Sequence, residues 1–403
     1  MARTSALRRS SFRRPALPQP PARSRVFGIR RPSQQGVSFT LSRPQFKGAP
    51  FQRLPAPTGS PPYHVALQDV IAPEVIKAIR NSGRMVLHIV GDTGGVKDPV
   101  PQQLVANNME EDFQGGVKSS ADNPAFFYHL GDVIYFNGEA TEYFPQFYQP
   151  YEHYPAPVFA IPGNHDALPI DPSVPSLEAF VTNFCSSQPV ITPDAGEAAR
   201  QAMTEPNVYW TLETPFATIV GLYTNVPEHG QVDDTQKAWL ASELKSAPGN
   251  KALIVAMHHP IYSADSHHGG SGYMGGVLDD AVKASKRRPD IVFGAHVHNY
   301  QRFTRALGKA EIPYIVAGAG GYWHLHYVAE VNGQPMMTPA PGPEPGVTLE
   351  NYVDDRHGFL RLEITAKTIT GKYYVVPRPQ EPWRGGPKLA DSFTLDWTKN
   401  QLQ

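Results

Sequence analysis

Six apolar runs in this chain each stop at a short polar turn, usually one marked by glycine. "RMVLHIVGDTGG" is apolar from Met85 to Val90 and breaks at Gly91-Asp92, "PAFFYHLGD" breaks at Gly131-Asp132, and "PVFAIPGNHD" breaks at Gly163-Asn164-His165. "KALIVAMHHP" ends at His258, "DIVFGAHVHNY" runs into His296 and His298, and "PYIVAGAGG" ends in Gly318 to Gly321. Continuous apolar runs of this length suit strands buried on both faces. Helical patterns lie between them, such as "TQKAWLASELKS" from Thr235, with Asp233 or Asp234 placed to cap it. "HGFLRLEITAKTITGKYYVV" alternates with period two and predicts antiparallel strands. The expected fold is α/β, with polar residues gathered where strands end, which is where open sheets place their sites.

Length allows one large domain or two ordinary ones, since the chain has 403 residues, 40% of them hydrophobic. The net charge of −1 hides an uneven distribution. Twelve of the 36 basic residues and none of the 37 acidic ones precede Asp69, so the remainder carries 24 positive against 37 negative residues. The same stretch is proline-rich ("RRPALPQPPARSR", "RLPAPTGSPP") and cannot bury enough apolar surface to offset its chain entropy. Residues 1–62 are therefore expected to form a disordered Arg/Pro-rich arm, and residues 63–398 an acidic folded body. The arm lacks a continuous apolar segment, which argues against a secretory or twin-arginine signal, and no apolar stretch is long enough to span a bilayer. The single Cys185 leaves no internal disulfide and fits a reducing compartment, so the expected location is the cytoplasm.

Asp92, Asp132, Asn164, His165, His258, His296 and His298 all stand at the predicted strand ends. The steps between them, 40, 32, 94 and 38 residues from Asp92 through Asp132, Asn164, His258 and His296, are long enough for strand-helix-strand units, so all can meet on one rim. Oxygen and imidazole donors without thiolates suit Zn, Mn and Fe. The set is too large for one ion, whereas two ions sharing a carboxylate, roughly 3.5–4 Å apart, would use it fully. Each piece has a plain alternative: "GDTGG" as a simple strand-to-turn break, "GNHD" as an Asx turn, "AHVH" as two rings on one strand face, Tyr135 as a ring packed under its loop. Those alternatives would have to hold independently at five separated places in order, and one shared site is the simpler reading.

As a set, the residues resemble the calcineurin-like metallophosphoesterases, and among them the purple acid phosphatases with a single catalytic domain. The blocks are "DTG" at Asp92, "GDVIY" from Gly131 to Tyr135, "GNHD" from Gly163 to Asp166, "VAMH" ending at His258 and "AHVH" ending at His298. They cover roughly residues 85–302, and "HGFLRLEIT" resembles the family's closing strand. Ala295 replaces the usual glycine before His296, and Gln301 stands where plant members often carry Glu. The resemblance implies a four-layer fold of two packed mixed β-sheets flanked by helices, with the site at the C-terminal ends of the strands.

In cyclic-nucleotide-type relatives the first block is Asp-x-His, and that histidine is a metal ligand. This chain has Gly94 there, and Tyr135 is the natural replacement donor, since a phenolate favours a hard trivalent ion. By the resemblance, Asp92, Asp132, Tyr135 and His298 would hold Fe(III), and tyrosinate on that ion is what makes the resembling enzymes purple. Asp132, Asn164, His258 and His296 would hold a divalent Fe, Zn or Mn, with Asp132 bridging. A hydroxide on the metals would attack phosphorus in line. His165, oriented by Asp166, would donate to phosphate or to the leaving alkoxide. His267 and His268 occupy the position of a substrate-contacting His pair in plant members, and the glycines around them (269, 270, 272, 275 and 276) suggest a mobile lid.

The resulting expectation is a phosphomonoesterase acting on a small phosphorylated substrate. The alternatives are a nucleotide or nucleic-acid phosphodiesterase and a non-catalytic metal-binding protein. The acidic body argues against nucleic acid, which could engage at most the basic arm. The non-catalytic alternative predicts loss of a ligand or of the His165-Asp166 pair, and all are present. The letters leave the oligomeric state open.

Overall fold

In a computed structural model the apolar runs fold as strands. The structure describes residues 49–113, 121–169, 171, 173–383 and 386–403, so the arm up to residue 48 lies outside it. The strands are β1 (His64–Ala66), β2 (Arg84–Val90), β3 (Pro124–His129), β4 (Val158–Ala160), β5 (Trp210–Glu213), β6 (Ala217–Gly221), β7 (Ala252–Ala256) and β8 (Ile291–Gly294). They continue with β9 (Tyr300–Leu307), β10 (Ala310–Ala317), β11 (Ala340–Pro341), β12 (Val347–Val353), β13 (Gly358–Thr365), β14 (Thr368–Val375), β15 (Lys388–Asp396) and β16 (Gln401–Leu402). Nine form one sheet in the order β1-β5-β6-β7-β8-β10-β9-β12-β11, and seven form another in the order β16-β15-β14-β13-β2-β3-β4. Both sheets are mixed. β6, β7 and β8 run parallel, as do β2, β3 and β4, while β13 lies antiparallel to both β2 and β14.

Strand periodicity explains the layers. Met85, Leu87 and Ile89 of β2 pack with Phe126 and Tyr128 of β3, in one cluster with Ile219, Ile254, Ile291 and Ile315 of the other sheet. The alternate residues Val90 and Phe127 belong to a second cluster with Val105 and Met109 of a helix. Every residue of β2 after Arg84 is buried, as a strand covered on both faces requires. Each fully buried Leu or Ile here contributes about 1.5–3 kcal/mol relative to exposure. The main helices among the described residues are α1 (Pro73–Ser82), α2 (Val100–Glu111), α3 (Glu178–Phe184), α4 (Asp234–Ser246) and α5 (Gly272–Ser285). Of the two candidate caps for α4, Asp233 is the one used, accepting from the Gln236 amide at 2.8 Å.

The folded body extends beyond both expected boundaries. Gln52 donates its amide to Asn225 Oδ1 and receives Asn225 Nδ2 on its carbonyl, at 2.8 and 2.9 Å. Trp239 Nε1 donates to the Pro62 carbonyl at 2.8 Å, so residues 49–62 are docked rather than part of an arm. At the other end β16 pairs with β15, carrying the sheet past residue 398. Among the described residues, no helix is long and apolar enough to cross a membrane.

Candidate metal centre

Five strands, β2, β3, β4, β7 and β8, end a few residues before Asp92, Asp132, Asn164, His258 and His296. Three of those residues leave their strands in the left-handed region, Asp92 at φ 56°, Asp132 at 52° and His296 at 65°. That conformation is unfavourable for a residue with a Cβ, though Asp and His tolerate it better than most. Held strain of this kind concentrates at functional sites. It aims the side chains across the rim: Asp92 Oδ2 accepts the His296 amide at 2.8 Å, and Asp132 Oδ1 accepts the His165 amide at 2.9 Å.

Two knots of donors result. His258 Nδ1 lies 2.9 Å from the Leu130 carbonyl oxygen, and His298 Nδ1 lies 3.0 Å from that of His324. A carbonyl only accepts, so both Nδ1 atoms carry protons, and in the neutral rings both Nε2 atoms present lone pairs inward. His258 Nε2 then faces Asn164 Oδ1 at 3.0 Å and Asp132 Oδ2 at 3.3 Å. His298 Nε2 faces the Tyr135 hydroxyl oxygen at 3.3 Å and Asp92 Oδ1 at 3.6 Å, and those two oxygens are 3.2 Å apart. The Tyr135 hydroxyl donates to Asp92 Oδ1, and the other acceptors crowd into a buried space where a cation would be favourable. Asp132 Oδ2 and His296 Nε2 are buried without a hydrogen-bond partner. Asp132, His258 and His296 each offer a ligand atom, all within 4.8 Å of one another. The donor set therefore fits a pair of cations.

Electrostatics point the same way. Burial pushes the Asp92 carboxyl well above the usual carboxylate range, against the pull of His258. Burial would also raise Asp132, but the imidazoles around it, His258 first and then His165 and His296, together outweigh burial and hold it far down. His258, which burial alone would depress, is lifted to about 9 by the Asp132 carboxylate. Two bound cations would let both carboxylates ionise together.

Glycines keep the space open. A Cβ on Gly163 would collide with Asp132 Oδ1, and one on Gly318 would come within 2.6 Å of Asp92 Oδ2. A Cβ on Gly94 would lie 2.7 Å from Tyr135 Cδ2, so a side chain at 94 and the ring at 135 exclude each other. The Tyr135 ring packs at a tilt against Tyr322 and His165, ring centres 4.3 and 4.4 Å away. Its amide donates to Gln146 Oε1 and its carbonyl accepts from Gln146 Nε2, at 2.9 and 2.8 Å.

The other sequence-derived candidates fall beside this centre, with two corrections. Asp166 does not orient His165. Its carboxylate accepts the Gly163 amide at 2.8 Å and the Val133 and Ile134 amides at 3.1 and 3.2 Å, tying the Asp132 turn to the Asn164 turn. His165 is held instead through Nδ1, 2.8 Å from the Phe136 carbonyl oxygen. The glycine-rich lid is likewise shorter than expected. Gly272, Gly275 and Gly276 lie in α5, whose N-cap Ser271 accepts the Met274 amide at 3.0 Å. Asp265 Oδ1 accepts the His267 and His268 amides, both at 2.6 Å, and so fixes the turn that carries them. Gln301, the departure from Glu, accepts the Ala264 amide at 2.7 Å and anchors the same turn.

His268 lies over His296, ring centres 4.5 Å apart, and exposed His267 packs 4.7 Å from His268 at the mouth. Tyr322 and His326 each lie 4.3 Å from the His298 ring, and His326 also packs against His267 and His268 at 5.3 and 5.1 Å. Sequence reasoning missed Glu228, whose Oε1 is 3.1 Å from His268 Nδ1 and 3.9 Å from His296 Nε2. The signal was present: "ATIVGLYTNVPEHG" is another apolar run ending in a polar turn, after β6.

Residues 85–300 match the calcineurin-like phosphoesterase family. The chain is 30% identical over 130 residues to purple acid phosphatase 21 of Arabidopsis thaliana, covering 30% of this chain and 28% of that protein. It is 28% identical over 180 residues to Fe(3+)-Zn(2+) purple acid phosphatase 12 of the same plant, covering 40% and 34%. The matched part thus spans about a third of the length of these curated relatives. Among solved structures, purple acid phosphatase PPD1 from yellow lupin (Lupinus luteus) seeds superposes with a TM-score of 0.52 at 16% identity, covering 78% of this chain and 54% of that one, a likeness of fold.

Proposed function

The chain belongs to the calcineurin-like phosphoesterase family, and on that premise we propose that it is a binuclear-metal phosphoric monoester hydrolase of the purple acid phosphatase type. The observation that carries this reading is the convergence of Asp92, Tyr135 and His298 in one buried knot beside a second formed by Asp132, Asn164 and His258. Asp92, Asp132, Tyr135 and His298 would hold Fe(III). Asp132, Asn164, His258 and His296 would hold a divalent ion, Fe, Zn or Mn, with Asp132 common to both. Bound there, the two ions supply Lewis-acid charge that lowers the pKa of water and neutralises phosphate oxygens.

The chain's own residues do the rest. The carbonyls of Leu130 and His324 fix the rings of His258 and His298, so each turns Nε2 inward without searching rotamers. The Phe136 carbonyl accepts the Nδ1 proton of His165, which leaves Nε2 as the ring atom that would take up a second proton before passing it to a phosphate oxygen or leaving alkoxide. His268 and His267 stand at the mouth, where a small phosphorylated substrate would enter. The lone cysteine, buried Cys185, accords with a reducing compartment such as the cytoplasm.

The discriminating assay compares p-nitrophenyl phosphate with bis(p-nitrophenyl) phosphate on the purified chain. We expect kcat/KM for the monoester to exceed that for the diester by at least about tenfold, a difference of about 1.4 kcal/mol in transition-state binding. A diester preference would move the assignment to a phosphodiesterase of the same superfamily.

A further inference from the structure

We infer that Glu228 is an additional carboxylate donor to the second, divalent ion, held in place by His268; this rests on the two-ion reading above. Glu228, His268 and His296 each offer a ligand atom within 4.8 Å of the other two, a group that shares His296 with the one formed by Asp132 and His258. His296 is 6% exposed, and its Nε2 has no hydrogen-bond partner. The nearest carboxylate on that side is Glu228, with Oε1 3.9 Å away. That gap is too long for a hydrogen bond and fits two donors on a shared ion, each about 2.0–2.2 Å from it.

His268 supplies the outer support that ligating carboxylates generally have. Its Nδ1 is 3.1 Å from Glu228 Oε1, and its ring lies between those of His296 and His326, at 4.5 and 5.1 Å. The turn that presents it is pinned by Asp265 and Gln301. Glu228 is itself about three-quarters buried, on the loop after β6 whose Asn225 is tied to Gln52. Both ends of the contact are therefore held in place before any ion arrives.

The consequence is metal preference. With Glu228 the second position has three oxygen donors, from Asp132, Asn164 and Glu228, and two imidazoles, from His258 and His296. Five protein donors rich in oxygen suit the higher coordination of Mn(II) or Fe(II) better than the tetrahedral habit of Zn(II). His268 in turn has Nδ1 engaged with Glu228, so only Nε2 remains to meet substrate.

The test uses the full chain with its first position loaded with iron and its second stripped by mild chelation. Mn2+ binding is followed by electron paramagnetic resonance, and Zn2+ binding by competition with elemental analysis. We expect Glu228→Gln to raise the Kd for Mn2+ by at least about tenfold and the Kd for Zn2+ by less, with the iron content unchanged. His268→Ala should weaken Mn2+ binding by a smaller factor, and circular dichroism melting checks that both variants fold. Mn2+ and Zn2+ affinities within twofold of wild type in a folded Glu228→Gln variant would overturn the inference and leave Glu228 as a tether for His268. A wild-type chain that binds fewer than two ions would instead overturn the two-ion reading beneath it.

Discussion

Replacing Asp132 by alanine is expected to lower kcat/KM for p-nitrophenyl phosphate by on the order of 10³-fold or more, a loss of at least about 4 kcal/mol of transition-state stabilisation. Its two oxygens have different employments. Oδ1 accepts the His165 amide at 2.9 Å, and Oδ2 is the unpartnered buried oxygen 3.3 Å from His258 Nε2. Alanine therefore removes the carboxylate proposed to bridge the two ions and loosens the turn that carries His165. Elemental analysis of the same variant should show loss of the divalent ion, while circular dichroism should report an intact fold, because the sandwich core is built from other residues. Retention of both ions with near-normal turnover would contradict the role given to Asp132.

The second large effect comes from a residue with no side chain. Gly163→Ala deletes no donor, and Gly163 does not adopt a positive φ, so alanine is allowed by the backbone. Its Cβ, however, would collide with Asp132 Oδ1 and sit 2.8 Å from Asp132 Cγ. The carboxylate must move, and displacement of a reacting group by about 1 Å is enough for a roughly 10²-fold loss of rate. Overpacking of this buried point should also cost about 1–3 kcal/mol of stability. We expect kcat/KM to fall about 10²-fold with weakened binding of the divalent ion, read by activity against added metal and by thermal melting. Unchanged activity and metal content would show that the Asp132 turn can give way without consequence.

Much of this architecture was legible in the letters, for physical reasons that differ by residue. β2, β3, β7 and β8 were visible because strands buried on both faces are apolar at nearly every position, His88 and His129 excepted, and the break to Gly-Asp or His marks where the strand ends. Tyr135 was legible as a candidate through Gly94, because the donor missing at 94 called for a replacement; the structure adds that ring and side chain compete for one space. The role of Asp166 was misread: adjacency to His165 suggested a pair, but two buried backbone amides at the Asp132 turn and one at the Asn164 turn demanded its carboxylate more strongly. The lid was misread because Gly272, Gly275 and Gly276 favour loops, whereas the Ser271 cap and the buried Met274, Val277 and Leu278 carry the helix through them. Glu228 escaped notice because a lone glutamate in a polar turn is ordinary, even after an apolar run; its distances to His268 and His296 set it apart.

The two-ion centre is tested most directly by metal analysis of the aerobically purified chain together with its visible spectrum, for wild type and Tyr135→Phe. The expected result is two ions per chain, one of them iron, a pink to violet colour in wild type, and its disappearance when the phenol oxygen is removed. A chain that binds no transition metal, or one whose colour survives Tyr135→Phe, would contradict the arrangement of Asp92, Tyr135 and His298 around a trivalent ion.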